Sequence, residues 1–112
     1  MEIVVVVRNI LSQERNRIMQ QLSFDELKQW SEDQKDFLLL DVRESFEHEH
    51  FNIGGLNIPL GELSNELQQI PTDKSIVVYC AKGIRSVIAI QKLESKGYQN
   101  LYNLSGGVYA LQ

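Results

Sequence analysis

A chain of 112 residues, 43% hydrophobic and 23% charged, has the ordinary balance of one globular domain with a single core. Its net charge of −4 excludes the broad basic face of a general nucleic-acid binder. No apolar run approaches membrane-spanning length, and one cysteine cannot close an internal disulfide, so a reducing, cytoplasmic setting is expected.

Ile3 to Val7 has high strand propensity and should be paired or covered. It is too short for a signal-peptide core and has no small-residue cleavage site behind it. Ser12 to Gln21 is polar and helix-permissive, with Leu11, Ile18 and Leu22 on a possible stripe. Residues 1–21 therefore read as an N-terminal extension: an added edge element, the remnant of a larger parent, or a segment before a start at Met19. The domain proper is expected over residues 22–112.

Ser23 and Glu26 form a capping box, flanked by Leu22 and Leu27 as a hydrophobic staple, and Phe24, Leu27 and Trp30 give the helix its inner face. After a polar turn at Asp33 to Asp36, the run Phe37-Leu38-Leu39-Leu40 suits a central parallel strand covered on both faces. Asp41 and Arg43 stand at its end. His48 and His50 alternate with Glu47 and Glu49, but residues two apart do not share a helix face and zinc-site spacings are absent. That stretch reads as a solvated acidic patch, with no metal and no cofactor expected.

Gly54-Gly55 and Pro59 frame a short extended segment, and Leu60, Leu63, Leu67 and Ile70 then trace one helix face. Ser75 to Tyr79 is a β-branched and aromatic strand, Ile84 to Lys96 a helix stopped at Gly97, and Asn100 to Leu104 a last strand before a Ser105-Gly106-Gly107 turn. Strands alternating with helices predict an α/β fold, a mainly parallel central sheet flanked by helices on both faces.

The chemistry concentrates in Cys80-Ala81-Lys82-Gly83-Ile84-Arg85-Ser86. A loop leaving a strand's carboxyl end and entering a helix gathers backbone N–H groups, and open parallel sheets bind ligands at that edge. Gly83 supplies the backbone freedom of a tight cradle, and Lys82 and Arg85 add cationic side chains. Two readings stand side by side: a nucleophilic thiolate in an anion-binding cup, and a buried structural cysteine at a strand end.

Cys-x-x-Gly-x-Arg-Ser after an apolar strand resembles the active loop of the rhodanese-like sulfurtransferases. Leu38-Leu39-Leu40-Asp41-Val42-Arg43-Glu44 is similar to that family's Asp-Val-Arg-Glu strand, and Asn52 to Leu60 to its Gly-x-x-Asn-Ile-Pro segment. Tyr102 to Val108 resembles its terminal Leu-x-Gly-Gly turn, so the likeness runs from about residue 22 to residue 111. The sequence departs from the pattern at Ala81, where an arginine or other polar residue is common, at Asn52, often histidine, and at Leu111, often tryptophan.

The resemblance implies a sulfurtransferase in which Cys80 is nucleophile and sulfur carrier, passing through Cys–S–SH. The amides of residues 81 to 85 would cradle the persulfide. Lys82 and Arg85 would hold a small anionic donor, Ser86 would offer a hydroxyl at the rim, and Asp41 and Arg43 would fix the loops beneath. With no second cysteine the sulfur cannot leave through an internal disulfide, so a separate thiol or protein must accept it. A phosphatase or arsenate-processing cup would place five residues between cysteine and arginine; four intervene here. A non-catalytic or sulfur-relay module of a larger system is the other rival.

Overall fold

The leucine-rich and β-branched runs become the middle of the sheet. The computed structural model describes residues 19–112. Its strands are β1 (Gln20–Leu22), β2 (Phe37–Asp41), β3 (Leu56–Asn57), β4 (Ser75–Tyr79) and β5 (Leu101–Leu104), in the order β1-β5-β4-β2-β3 and parallel throughout. Helices α1 (Phe24–Glu32), α2 (Ser45–His50) and α3 (Ile84–Ser95) complete the α/β architecture. β2 and β4 pair along their whole lengths, from Phe37 opposite Ser75 to Asp41 opposite Tyr79.

Both sheet faces carry a core, as continuous apolar strands require. Val78 and Cys80 alternate onto one face, where they join Ala89, Ile90 and Leu93 of α3 with Leu63 and Ile70. Val77 and Tyr79 alternate onto the other, against Leu27 of α1, Leu104 and Val108, with Trp30, Phe51 and Ile53 packed alongside. Trp30 packs edge-on against Phe37 and Tyr102, the inner-face role its position predicted. The capping box is present: Ser23 Oγ accepts the Glu26 N–H at 3.0 Å, and Glu26 Oε1 accepts the Ser23 N–H at 2.9 Å.

Two expectations change. The stretch expected as one helix through Leu60, Leu63, Leu67 and Ile70 is a pair of 3₁₀ turns, Leu60–Asn65 and Leu67–Gln69. Each apolar pair is three residues apart, which a three-residue turn brings onto one face, and Glu66 between them breaks the run with φ −122°. Gln20 and Gln21, read as helix-permissive, lie in the edge strand β1. Both are exposed, so backbone pairing with β5 holds them there and only Leu22 needs to be apolar. The expected strand Ile3 to Val7 and the residues from Leu11 to Ile18 lie outside the described residues.

The connections decide where a site can form. The path from β2 leads through α2 to β3 on one side, while that from β4 leads through α3 to β5 on the other. The carboxyl ends of β2 and β4 are therefore a topological switch point, where two adjacent loops part and leave a crevice.

Candidate active site

Cys80 directly follows the last residue of β4, and its loop is pinned from the C-terminal side. The carbonyl of Cys80 accepts from Val108 N–H at 3.0 Å and that of Ala81 from Tyr109 N–H at 2.8 Å. Gly107 makes this approach possible: with φ +66°, a Cβ there would run into both carbonyls. Gly83, at φ +94°, turns the chain into the first turn of α3.

The cysteine side chain is only 1% exposed, yet its sulfur is not surrounded by hydrocarbon alone. Sγ accepts from Gly83 N–H at 3.1 Å and from Ser86 N–H at 3.4 Å, and Ser86 Oγ lies 3.5 Å away. Burial pushes the thiol pKa up; hydrogen bonds from Ser86, Gly83 and Lys82 together outweigh it and leave the pKa below its ordinary value. Those hydrogen bonds favour the anionic form of the sulfur.

The two cations of the loop differ. Arg85 is held by Glu47 of α2 through a two-pronged ion pair, Nη1 to Oε1 at 2.6 Å and Nη2 to Oε2 at 2.9 Å. The Arg85 guanidinium draws the Glu47 pKa down to about 2, and Glu47 in turn raises that of Arg85. Much of the arginine's charge is thus already spent on a carboxylate. Lys82 has no carboxylate partner among the described residues; its Nζ sits 5.0 Å from the Tyr109 ring centroid. A cavity of about 590 Å³ opens between the parting loops, lined by residues that include Arg43, Phe46, Glu47, Ala81, Lys82 and Tyr109. Phe46, Ile84 and Tyr109 stand largely exposed.

Asp41 and Arg43 lie beneath, both buried. Arg43 Nη2 donates to Asp41 Oδ2 at 2.7 Å and to the Phe51 carbonyl at 2.6 Å, and Nε donates to Asp41 Oδ1 at 2.9 Å. Neither side chain reaches the sulfur; they tie the loop after β2 to the end of α2. Three partners of this network escaped the sequence reading. His48, expected in a solvated patch, sets Nδ1 2.8 Å from Asp41 Oδ2. Asn57 Nδ2 donates to the carbonyls of Asp41 and Arg43 at 3.1 and 3.0 Å. The Tyr79 hydroxyl donates to the Gly54 carbonyl at 2.8 Å, and burial with the nearby Asp41 charge pushes its pKa up to about 12. Spacing along the chain carries no signal for such contacts.

Asn52, one of the departures, does local work: Nδ2 donates to the His48 carbonyl at 2.9 Å, and Oδ1 accepts the Gly54 N–H at 2.9 Å. Asn103 of β5 was also not singled out. It is 5% exposed and accepts the Ser86 hydroxyl proton through a short contact of 2.5 Å, directly behind the cysteine cup.

Residues 23–112 match the rhodanese-like domain family. A protein described as a sulfurtransferase from Allochromatium vinosum is 32% identical over 94 residues, covering 83% of this chain and 88% of that protein. The uncharacterized protein YqhL of Bacillus subtilis is 44% identical over 70 residues; the matched stretch is 62% of this chain and the chain spans 56% of that relative's length. A rhodanese-like domain protein from Staphylococcus aureus superposes with a TM-score of 0.77 at 26% identity, covering 84% of this chain and 92% of that one. With a parallel α/β sheet, a cysteine loop at its switch point and a match over nearly all the described residues, this chain belongs to the rhodanese-like domain family.

Proposed function

We propose that this protein is a sulfurtransferase that moves a sulfane sulfur through a persulfide on Cys80. The observation carrying the reading is the pair of amides aimed at the sulfur, where Gly83 N–H and Ser86 N–H converge at the start of α3. The Cys80 thiolate attacks the outer sulfur of a donor such as thiosulfate, a polysulfide or a protein persulfide. One S–S bond forms, the donor's breaks, and its electron pair leaves as sulfite or a thiolate. The amides that held the thiolate then hold the persulfide anion, and preorganised dipoles of this kind need no reorganisation during the step. A separate thiophilic acceptor attacks the outer sulfur and releases the Cys80 thiolate. Burial of Cys80 limits the access of water and oxidants to its own sulfur.

Lys82 is the cation that remains to attract a small anionic donor, while Arg85 shapes the cup through Glu47. The test is intact mass after exposure to thiosulfate and to polysulfide, side by side. One added sulfur atom is expected, removed by cyanide as thiocyanate, and absent in Cys80→Ser. An adduct that persists in that variant would overturn the assignment.

A further inference from the structure

Behind the cup runs a chain of neutral side chains that no step above uses. The Ser86 hydroxyl, fully buried, lies 3.5 Å from Cys80 Sγ on one side and 2.5 Å from Asn103 Oδ1 on the other. Asn103 Nδ2 then donates to Gln21 Oε1 at 3.1 Å, and Ser105 Oγ donates to the same oxygen at 3.2 Å. A serine hydroxyl has one proton. In the arrangement seen, that proton goes to Asn103, so Ser86 can only accept from the thiol and has nothing to give a thiolate.

We propose that Asn103 is a positioning residue that sets which way the Ser86 hydroxyl points, and so whether Cys80 is held as thiol or as anion. With the thiol protonated the bonds run outward, from S–H to Ser86 Oγ, from the Ser86 hydroxyl to Asn103 Oδ1, and from Asn103 Nδ2 to Gln21. When the thiol proton passes to solvent, the Ser86 hydroxyl turns to the sulfur. Its oxygen would then confront Asn103 Oδ1 with no proton between two acceptors, a costly buried arrangement. Turning the Asn103 amide over removes the conflict, because Nδ2 then donates to Ser86 Oγ. The reversal ends at Gln21 and Ser105, which are exposed and can rotate or take water as a partner. The chain makes and breaks no covalent bond; it has a buried end that feels the sulfur's charge and a wet end that lets it turn. The charged groups around the sulfur are Arg85 and Lys82 of its own loop, Glu47 of α2 on Arg85, and the Asp41–Arg43 pair at the end of β2. β5, Leu101-Tyr102-Asn103-Leu104, contributes no carboxylate, amine or guanidinium.

This deepens the sulfurtransferase reading and rests on it, but its test is the titration of Cys80 in the reduced protein, followed by the ultraviolet absorbance of the thiolate. Asn103→Asp can accept and cannot donate, so it holds the Ser86 proton away from sulfur. It should raise the Cys80 pKa by about one unit more in the native background than in Ser86→Ala, where only the added charge acts. Asn103→Ala releases the Ser86 hydroxyl to the sulfur and should leave that pKa unchanged or lower it. Equal shifts for Asn103→Asp in both backgrounds would overturn the proposal, as would a rise in Asn103→Ala matching that of the aspartate. If Asn103→Asp does not fold, the sign of the alanine shift decides. None of these readings needs sulfur transfer, so failure of the native protein to take up sulfur would sink the function and leave the role of Asn103 standing.

Discussion

At the residue scale, Lys82 and Arg85 separate cleanly because, among the described residues, Arg85 has a carboxylate partner and Lys82 does not. Lys82→Ala should raise the donor KM about threefold with kcat nearly unchanged, the size expected of an exposed charge contact; an unchanged KM would make Lys82 a solvated loop residue. Glu47→Gln should do the reverse. With its partner neutralised, the Arg85 guanidinium becomes available to an anion, and the KM for thiosulfate should fall by about the same factor. The pair also bears on the rival reading as a phosphatase. A guanidinium already clasped by two carboxylate oxygens at 2.6 and 2.9 Å is poorly placed to receive a phosphate.

At the element scale, the loop between β4 and α3 is supported by the C-terminal turn as much as by its own sequence. Gly107→Ala would drive a methyl group into the Cys80 and Ala81 carbonyls, at a backbone angle that already disfavours a side chain. It should cost about 3 kcal/mol and slow sulfur loading, because the displaced carbonyls belong to the loop that carries Cys80. Gly54→Ala is the control. Its φ is +100° but nothing lies within 4 Å of the new methyl, so the loss should be nearer 1 kcal/mol. Chemical denaturation of the two variants, with loading rates measured alongside, checks both outcomes.

Across the whole molecule, the Glu47–Arg85 pair joins segments 38 positions apart, while the Asp41–Arg43 pair anchors the end of β2 to that of α2. Asp41→Asn leaves Arg43 buried against a weakened partner and loosens the anchors to Phe51 and His48; about 3 kcal/mol of stability should be lost, read as a lower thermal midpoint. The Glu47–Arg85 pair gives an acid dependence. Its folded pKa of about 2 lies below the ordinary 4.5, so its contribution is complete above about pH 4.5 and disappears as the pH falls toward 2. The pair is partly open to solvent, which limits the contribution to about 1 kcal/mol. Glu47→Gln should remove that part of the pH dependence, read as an acid-induced loss of stability between pH 5 and about pH 2.5 that is about 1 kcal/mol smaller in the variant than in the native protein.

The sequence by itself determined the parallel α/β sheet, the capped helices and the cysteine loop, because local rules write these directly. Continuous apolar runs mark covered strands, Ser23 and Glu26 mark a helix start, and Gly83 and Gly107 mark turns that need positive φ. Tertiary structure alone decided the rest. Whether Leu60 to Ile70 coils as one helix or two 3₁₀ turns depends on the surface it meets, and two exposed glutamines form a strand only because β5 offers them a backbone ladder. Arg85 looked available for substrate until Glu47, 38 positions away, was found on it. His48 and Asn103 acquired roles in the same way. Such contacts arise where separate segments converge on the carboxyl edge of the sheet, and charge and hydrogen-bond partners there are set by distance in space, which no spacing along the chain records.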